Sequence, residues 1–243
     1  MIRILVNGAL GKMGAETVKA VSGDAGLVLV AKTDATDELL HIIKETKPEV
    51  AVEFTHPACV KKNVELLLRA GVRPVVGTTG LSAADLADLD VIARSCNLGV
   101  LVAPNFAIGA VLMMKFAATA AQYMPRVEIL EFHHDQKADA PSGTAVKTAD
   151  LIAETYEKIN DVVLDEKELV VGARGGTYRN IPIHSIRLPG FVASQEVIFG
   201  GLGQTLKLRH DSISRDSFMP GVLIAIRKVQ EITGLVYGLE NVL

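Results

Sequence analysis

The first hundred residues alternate short apolar runs with stretches of helical periodicity, and no other feature restricts the fold as much. The runs are Ile2–Val6, Leu27–Ala31, Val50–Phe54, Arg73–Val76 and Gly99–Ala103; the helical stretches between them are Gly11–Val21, Glu38–Thr46, Ala58–Ala70 and Ser82–Arg94. Short, mainly apolar runs that alternate with helices announce a parallel sheet with crossover helices, so this series predicts a Rossmann-like βαβαβ arrangement. Ser82 stands where its hydroxyl would cap the fourth helix.

The rhythm changes after Tyr123-Met124-Pro125. A strand-like Val127–His133 leads through a polar turn to a helix from about Ser142 to Lys158, then to strands near Pro182–Leu188, Gln195–Phe199 and Thr205–Arg209. Successive strands without helices between them predict a largely antiparallel sheet in a second domain. A last helix spans Arg215 to Ile232, with Phe218, Val222, Ile226 and Val229 on one face. Two domains suit a chain of 243 residues.

The composition excludes several classes of function. A net charge of −3 offers no field for a polyphosphate backbone, which argues against nucleic acid. Cys59 and Cys96 are far apart and form no CxxC, so neither a disulfide framework nor a cysteine-rich zinc site is expected. The N-terminal apolar run is too short for a signal peptide, and the apolar stretch Gly99–Met114 is broken by Pro104-Asn105 before it reaches the ~18–20 residues of a membrane span. A cytoplasmic protein without a membrane partner is the expectation.

The first motif with chemical content is Gly8-Ala9-Leu10-Gly11-Lys12-Met13-Gly14, which follows a strand and opens a helix. Glycines there allow a tight turn and a close approach to a pyrophosphate, whose charge sits on the free N–H groups of the helix start. The spacing is GxxGxxG, weak by itself, but Asp34 lies 20 positions after Gly14 at the end of the second strand, where a carboxylate holds an adenosine ribose. A nicotinamide dinucleotide site follows. Asp34 favours NADH, because a 2′-phosphate would bring like charges together; Lys12 and Lys32 leave dual use of NADP open. Gly77-Thr78-Thr79-Gly80 and Ala103-Pro104-Asn105-Phe106 end the fourth and fifth strands, at the sheet edge that faces a ligand. Each reads alone equally well as a plain strand-to-helix turn.

The richest segment runs from Glu131 to Ala145. His133 and His134 are adjacent, so they share a site only if the strand ends there. Lys137 offers an ammonium to hold an anion or deliver a proton, and Ser142-Gly143-Thr144 after Pro141 offers a helix start with hydroxyls suited to a carboxylate. Two alternatives stand beside this reading: a metal half-site, for which no third ligand has suitable spacing, and two surface histidines beside a capped helix.

Taken together, GALGKMG, EFTHP at Glu53–Pro57, GTTG, APNFAIG, EFHHDQKADAPSGTA and SRDSFMPG at Ser214–Gly221 closely resemble the dihydrodipicolinate reductase family, nearly end to end. The resemblance implies a Rossmann-like dinucleotide-binding domain of residues 1–107 and 211–243, and a smaller α+β mixed-sheet domain of residues 108–210 for substrate binding and oligomerisation. It implies reduction of 4-hydroxy-tetrahydrodipicolinate with NADH or NADPH in the diaminopimelate branch of lysine synthesis, by a homotetramer without a metal. Gly8 through Met13, Asp34, Gly77 to Thr79 and Ala103 to Phe106 are implied cofactor contacts. His133 is the implied acid/base residue and Lys137 the implied proton donor; His134, Ser142, Gly143 and Thr144 would hold a dicarboxylate substrate. Where many relatives have arginine this chain has Lys12, and where several have a basic residue it has Ala35, which weakens any expectation of NADPH selectivity. Another NAD(P)-dependent dehydrogenase of amino-acid metabolism, and a non-catalytic NAD-binding sensor, are the alternatives.

Overall fold

The structure, a computed structural model, describes residues 1–155, 159–160 and 167–243. It divides into two compact units, Met1–Ile108 with Arg215–Leu243, and Gly109–Ser214.

In the first unit β1 (Ile2–Asn7), β2 (Leu27–Thr33), β3 (Val50–Glu53), β4 (Arg73–Val76), β5 (Gly99–Val102) and β11 (Gly234–Tyr237) form a six-stranded sheet in the order β11-β5-β4-β3-β1-β2. Every pairing in it is parallel. The crossovers are α1 (Lys12–Ser22), α2 (Leu39–Thr46), α3 (Val60–Arg69) and α4 (Ala83–Ser95). Strands buried on both faces need helices on both, and α3 serves two clusters: Leu67 packs with Leu5, Ile43 and Ala51, while Val60, Val64 and Leu68 pack with Val76, Leu89 and Val100. Ser82 caps α4 as expected: its Oγ accepts the Asp85 N–H, and the Asp85 carboxylate accepts the Ser82 N–H.

The C-terminal segment differs from the single helix predicted over Arg215–Ile232. It opens as a 3-10 turn at Arg215–Phe218, becomes α7 (Met219–Lys228), tightens again at Val229–Glu231 and then adds β11 beside β5. Pro220 lies in the first turn of α7, where its missing N–H costs nothing, and it sets where the α-helix begins. Arg227 donates to both oxygens of Asp24, at 2.7 and 2.6 Å, which ties α7 to the loop after α1.

In the second unit β6 (Arg126–His133), β7 (Gly176–Tyr178), β8 (Ile181–Arg187), β9 (Ala193–Gly201) and β10 (Gln204–Ser212) form a sheet ordered β10-β9-β6-β8-β7. The pairings β10–β9, β9–β6 and β7–β8 are antiparallel, but β6–β8 is parallel, so the sheet is mixed. Between β6 and β8 the chain passes through α6 (Gly143–Thr155) and then β7, and β8 leaves the antiparallel β7–β8 hairpin running in the direction of β6. The predicted continuation of this helix to Lys158 lies outside the described residues.

One helix has no counterpart among the predicted elements, α5 (Ile108–Ala121). Its apolar residues run round the whole cylinder: Ala110, Val111, Met113, Met114 and Ala117 are buried while Leu112 and Phe116 are exposed. No polar face marks its period.

Candidate active site

The loop after β1 takes its shape from its glycines. Gly8 has φ 82°, and a Cβ there would lie 2.2 Å from the Phe54 carbonyl oxygen; at Gly14 a Cβ would lie 2.0 Å from the Gly8 carbonyl. Only glycine lets the end of β3 and the first turn of α1 approach this closely. Gly8 and Ala9 donate to Thr33 O at 2.8 and 3.0 Å, so the loop is also sewn to the end of β2. α1 begins after Gly11 without a side-chain cap, which leaves its first N–H groups for an anion.

Asp34 follows β2 directly. Its Oδ2 accepts the Leu10 N–H and its Oδ1 the Ala35 N–H, both at 2.9 Å, and these two donors hold its carboxyl below the ordinary aspartate range. Asp37 accepts the Asp34 N–H at 2.7 Å. Gly8, Gly11, Asp34, Asp37, Phe54 and His56 line a cavity of about 440 Å³ at this end of the sheet. Ala9 is buried in the loop, Met13 half-buried, and Leu10 and Lys12 exposed at its rim.

A polar chain that sequence reasoning did not single out runs from the cavity wall, where Asn7, Thr55 and Asn63 line it, to the buried Thr33 and Glu53. Thr33 Oγ1 donates to Asn7 Oδ1 at 2.8 Å, and Asn7 Nδ2 to Glu53 Oε2 at 2.6 Å; Thr55 Oγ1 and Asn63 Nδ2 donate to Glu53 Oε1. Glu53 is fully buried, and burial pushes its carboxyl up against the pull of these donors. Its backbone carbonyl accepts from Gly77 N, Thr78 N and Thr78 Oγ1.

Gly77-Thr78-Thr79 and Ala103-Pro104-Asn105-Phe106 do not line the cavity; they join it through Phe54. A Cβ at Gly77 would strike the Phe54 ring at 2.0 Å, and the rings of Phe54 and Phe106 meet edge to face at 5.9 Å. Thr78, Ala103 and Phe106 are buried, Thr79 and Pro104 exposed, and Asn105 Oδ1 accepts the Ala107 N–H at 2.8 Å. The signal for Phe54 was present in EFTHP, which closes the third strand of the sheet.

The second unit holds the histidines. β6 ends at His133, so His134 begins a turn and stands exposed. His133 Nδ1 lies 2.5 Å from Oε2 of the fully buried Glu131. Arg187 Nη1 and Nη2 donate to the same carboxylate at 2.9 and 2.7 Å, and the Ser142 N–H reaches Oε1 at 3.2 Å. Burial favours the neutral acid at Glu131, but His133, Arg187 and Ser185 hold its pKa down to about 2. Lys137 Nζ donates to both oxygens of Asp139, at 2.6 and 2.7 Å.

Pro141, joined to Ala140 by a cis peptide bond, leads into α6, whose cap is Ser142: its Oγ accepts the Ala145 N–H at 3.3 Å. The Gly143 and Thr144 N–H groups lead the helix ahead of its intrahelical ladder, and Gly143 is exposed with nothing within 4 Å of where a Cβ would point. His133, Lys137 and the α6 start therefore belong to one short stretch, which offers an imidazole, an ammonium and helix-end donors to an anion. Neither Glu131 nor Arg187 was expected. Among the described residues no group of three or more His, Cys, Asp or Glu is placed to hold a metal, and no helix is long and apolar enough to cross a membrane.

The chain matches two family descriptions, "Dihydrodipicolinate reductase, N-terminus" over residues 2–106 and "Dihydrodipicolinate reductase, C-terminus" over residues 109–243. It is 47% identical to the 4-hydroxy-tetrahydrodipicolinate reductase of Desulfitobacterium hafniense (strain DSM 10664 / DCB-2), covering 100% of this chain and 98% of that one. To the protein of the same name from Listeria monocytogenes serotype 4b it is 49% identical, with both chains covered in full. The dipicolinate-bound dihydrodipicolinate reductase from Paenisporosarcina sp. TG-14 superposes with a TM-score of 0.92 at 47% identity, again over 100% of both chains. An amine dehydrogenase from Mycobacterium smegmatis, 12% identical with a TM-score of 0.61 over 97% of this chain and 94% of its own, shares the fold alone. Full-length matches of this strength, with both halves of the family covered, make the chain a member of the dihydrodipicolinate reductase family.

Proposed function

We propose that this chain reduces 4-hydroxy-tetrahydrodipicolinate to tetrahydrodipicolinate with a reduced nicotinamide dinucleotide, in the diaminopimelate branch of lysine synthesis. The observation that carries this reading is the end of β6, where an imidazole fixed by a buried carboxylate, an ammonium and the first N–H groups of α6 are grouped in a family member.

The first unit fits the dinucleotide. Its glycine loop packs too closely on Phe54 and on itself to admit side chains at Gly8 and Gly14, α1 presents an uncapped N-terminus, and Asp34 stands at the end of β2. Gly8 through Met13, Asp34, Gly77 to Thr79 and Ala103 to Phe106 would hold the cofactor, which when bound supplies the hydride. Asp34 and Asp37 bring two carboxylates to the cavity, and among the described residues lining it there is no lysine or arginine. NADH is therefore favoured, with Lys12 and Lys32 at the exterior as the groups that would admit NADPH.

The reaction consumes one hydride and one proton and releases water. Loss of water, the 4-hydroxyl with a proton from C3, leaves a C3=C4 double bond conjugated to the imine; hydride addition at C4 gives an enamine, and protonation at C3 completes the reduction. Lys137 delivers that proton and recovers one from solvent, and His133 serves as acid/base beside it. His134, Ser142, Gly143 and Thr144 hold the two substrate carboxylates. No metal takes part. The protein is cytoplasmic. It assembles as a homotetramer through the second unit's sheet, and this assembly is supported by the exposed edge strand β10, which carries exposed Leu206, and by exposed Leu202 just before it.

The test is to follow NADH and NADPH oxidation separately, with substrate generated in situ, in the intact protein and in Lys137→Ala. Turnover with NADH at least as good as with NADPH, lost in the variant, is expected. Oxidation of neither cofactor rejects the proposal.

A further inference from the structure

We infer that Glu131 is a positioning residue for the reduction, holding His133 as the Nδ1–H tautomer while Arg187 keeps the carboxylate charged. The inference rests on the reductase reading above and goes beyond it by assigning a role to two residues that do not touch the reacting ring.

Register brings the three side chains together. In the β6–β8 pairing Glu131 lies opposite Ser185 and His133 opposite Arg187, so these residues share one face of the sheet. The same face of β6 carries Val127 and Ile129, both buried, and a carboxylate continuing that apolar row is costly unless every acceptor site is filled. Arg187, Ser142, His133 and the Ser185 hydroxyl fill them. Arg187 spans both oxygens, Ser142 N–H reaches Oε1 and His133 Nδ1 reaches Oε2.

An ionised carboxylate only accepts, so the proton of the shortest of these contacts belongs to His133 Nδ1. Nε2 is then the nitrogen left for proton transfer. The same hub sets the surroundings of that nitrogen, because Arg187 Nη2 also donates to Asp139 O at 2.8 Å, in the turn that carries Lys137, and the Ser142 N–H bond pins the start of α6.

Glu131→Gln separates positioning from bulk. Arginine and a backbone N–H cannot accept a hydrogen bond, whereas imidazole and the Ser185 hydroxyl can; the Oε1 side faces two fixed N–H donors, Arg187 Nη2 and Ser142 N, and the Oε2 side only Arg187 Nη1 besides His133, so the glutamine NH₂ costs least against His133 Nδ1. The ring must then adopt the Nε2–H tautomer. Solid-state ¹⁵N NMR of histidine-labelled protein at about pH 8.5, with His133 assigned by its loss in His133→Gln, reads the tautomer directly. The expected results are Nδ1–H in the wild type, Nε2–H in Glu131→Gln, a kcat lower by roughly 10²–10⁴-fold, and dipicolinate affinity within about threefold of wild type. Glu131→Asp, which keeps the charge, should retain the Nδ1–H tautomer and recover part of kcat.

An Nε2–H tautomer in the wild type overturns the inference, and so does a Glu131→Gln protein with unchanged tautomer and kcat. If Glu131→Gln does not fold, the wild-type spectrum and Glu131→Asp still decide. The spectra need no substrate, so a wild-type chain that oxidises neither NADH nor NADPH counts against the reductase reading and leaves the tautomer assignment to its own test.

Discussion

The Leu10 backbone N–H donates to Asp34 Oδ2 at 2.9 Å, so the carboxylate that ends the second strand already holds the glycine loop that follows the first. Asp34 is thereby oriented before any ribose arrives. Asp34→Ala should lose both the loop tether and the ribose contact. A hydrogen bond to a charged group contributes about 1.5–3 kcal/mol, so NADH affinity should fall roughly ten- to a hundredfold. NADPH affinity should fall less, since the variant also removes a repulsion. Calorimetric titration with each cofactor checks this; an unchanged NADH to NADPH ratio contradicts the selectivity argument.

Glycine substitutions should separate the glycine loop of the first unit from the α6 start of the second. At Gly14 a Cβ meets the Gly8 carbonyl at 2.0 Å, backbone against backbone, whereas at Gly143 it meets nothing within 4 Å. Gly14→Ala should lower stability by about 1–3 kcal/mol and weaken NADH binding at least about tenfold. Gly143→Ala should melt with the wild type and raise KM for the dicarboxylate instead. Thermal melts and steady-state kinetics on the two variants distinguish these outcomes.

How much of this was legible in the sequence depended on whether one residue's pattern carried the information. The parallel sheet could be read because its predicted strands are mainly apolar and show no strict alternation of polar and apolar residues, and the Ser82 cap because a serine preceded a periodic run. α5 escaped because its apolar residues surround the helix, and β11 because four residues after a broken helix give no period to read. The polar hub at Glu131 had a signal that went unused: Val127, Ile129 and Glu131 alternate onto one face, and a carboxylate completing an apolar alternation is a buried charge that needs a partner. Its partner could not be read, since Arg187 is brought across by the parallel β6–β8 pairing, which the expectation of a largely antiparallel sheet did not contain.

Lys137 is held by both oxygens of Asp139, so the proposed proton donor must leave one carboxylate to serve another. Asp139 is largely exposed, and an ion pair of this kind contributes about 0–1 kcal/mol. Asp139→Asn should therefore bind dipicolinate up to about fivefold more tightly, because the ammonium no longer has to be released. Lys137→Ala should lower kcat by about 10²–10⁴-fold, the usual contribution of a positioned proton donor. Equal dipicolinate affinity in wild type and Asp139→Asn would show that the pair does not compete with substrate.

The 25.9 kDa chain should sediment as a species of roughly four times that mass. Leu206 is exposed on edge strand β10, and a charge there would be buried in any assembly built through that sheet. Leu206→Glu should shift the sedimentation velocity profile toward smaller species while leaving the far-ultraviolet circular dichroism intact. A wild-type monomer rejects the tetramer.

Glu53 gives a pH dependence of defined sign. Burial raises its carboxyl above the ordinary glutamate value of 4.5, so between 4.5 and the raised value the folded chain keeps a proton that the unfolded chain has released. The site's contribution to stability is complete below 4.5 and declines as pH rises through that window. Glu53→Gln cannot ionise and removes the decline. Its amide oxygen can still accept from Asn7 Nδ2, and its NH₂ can donate to the Thr55 hydroxyl, which turns from donor to acceptor, and to Asn63 once that amide turns its oxygen inward. Urea unfolding of both proteins across roughly pH 4–8 should show the variant gaining on the wild type as pH increases. A stability difference that is flat with pH, or that moves in the wild type's favour, would mean that Glu53 is ionised in the folded protein at its ordinary value or below.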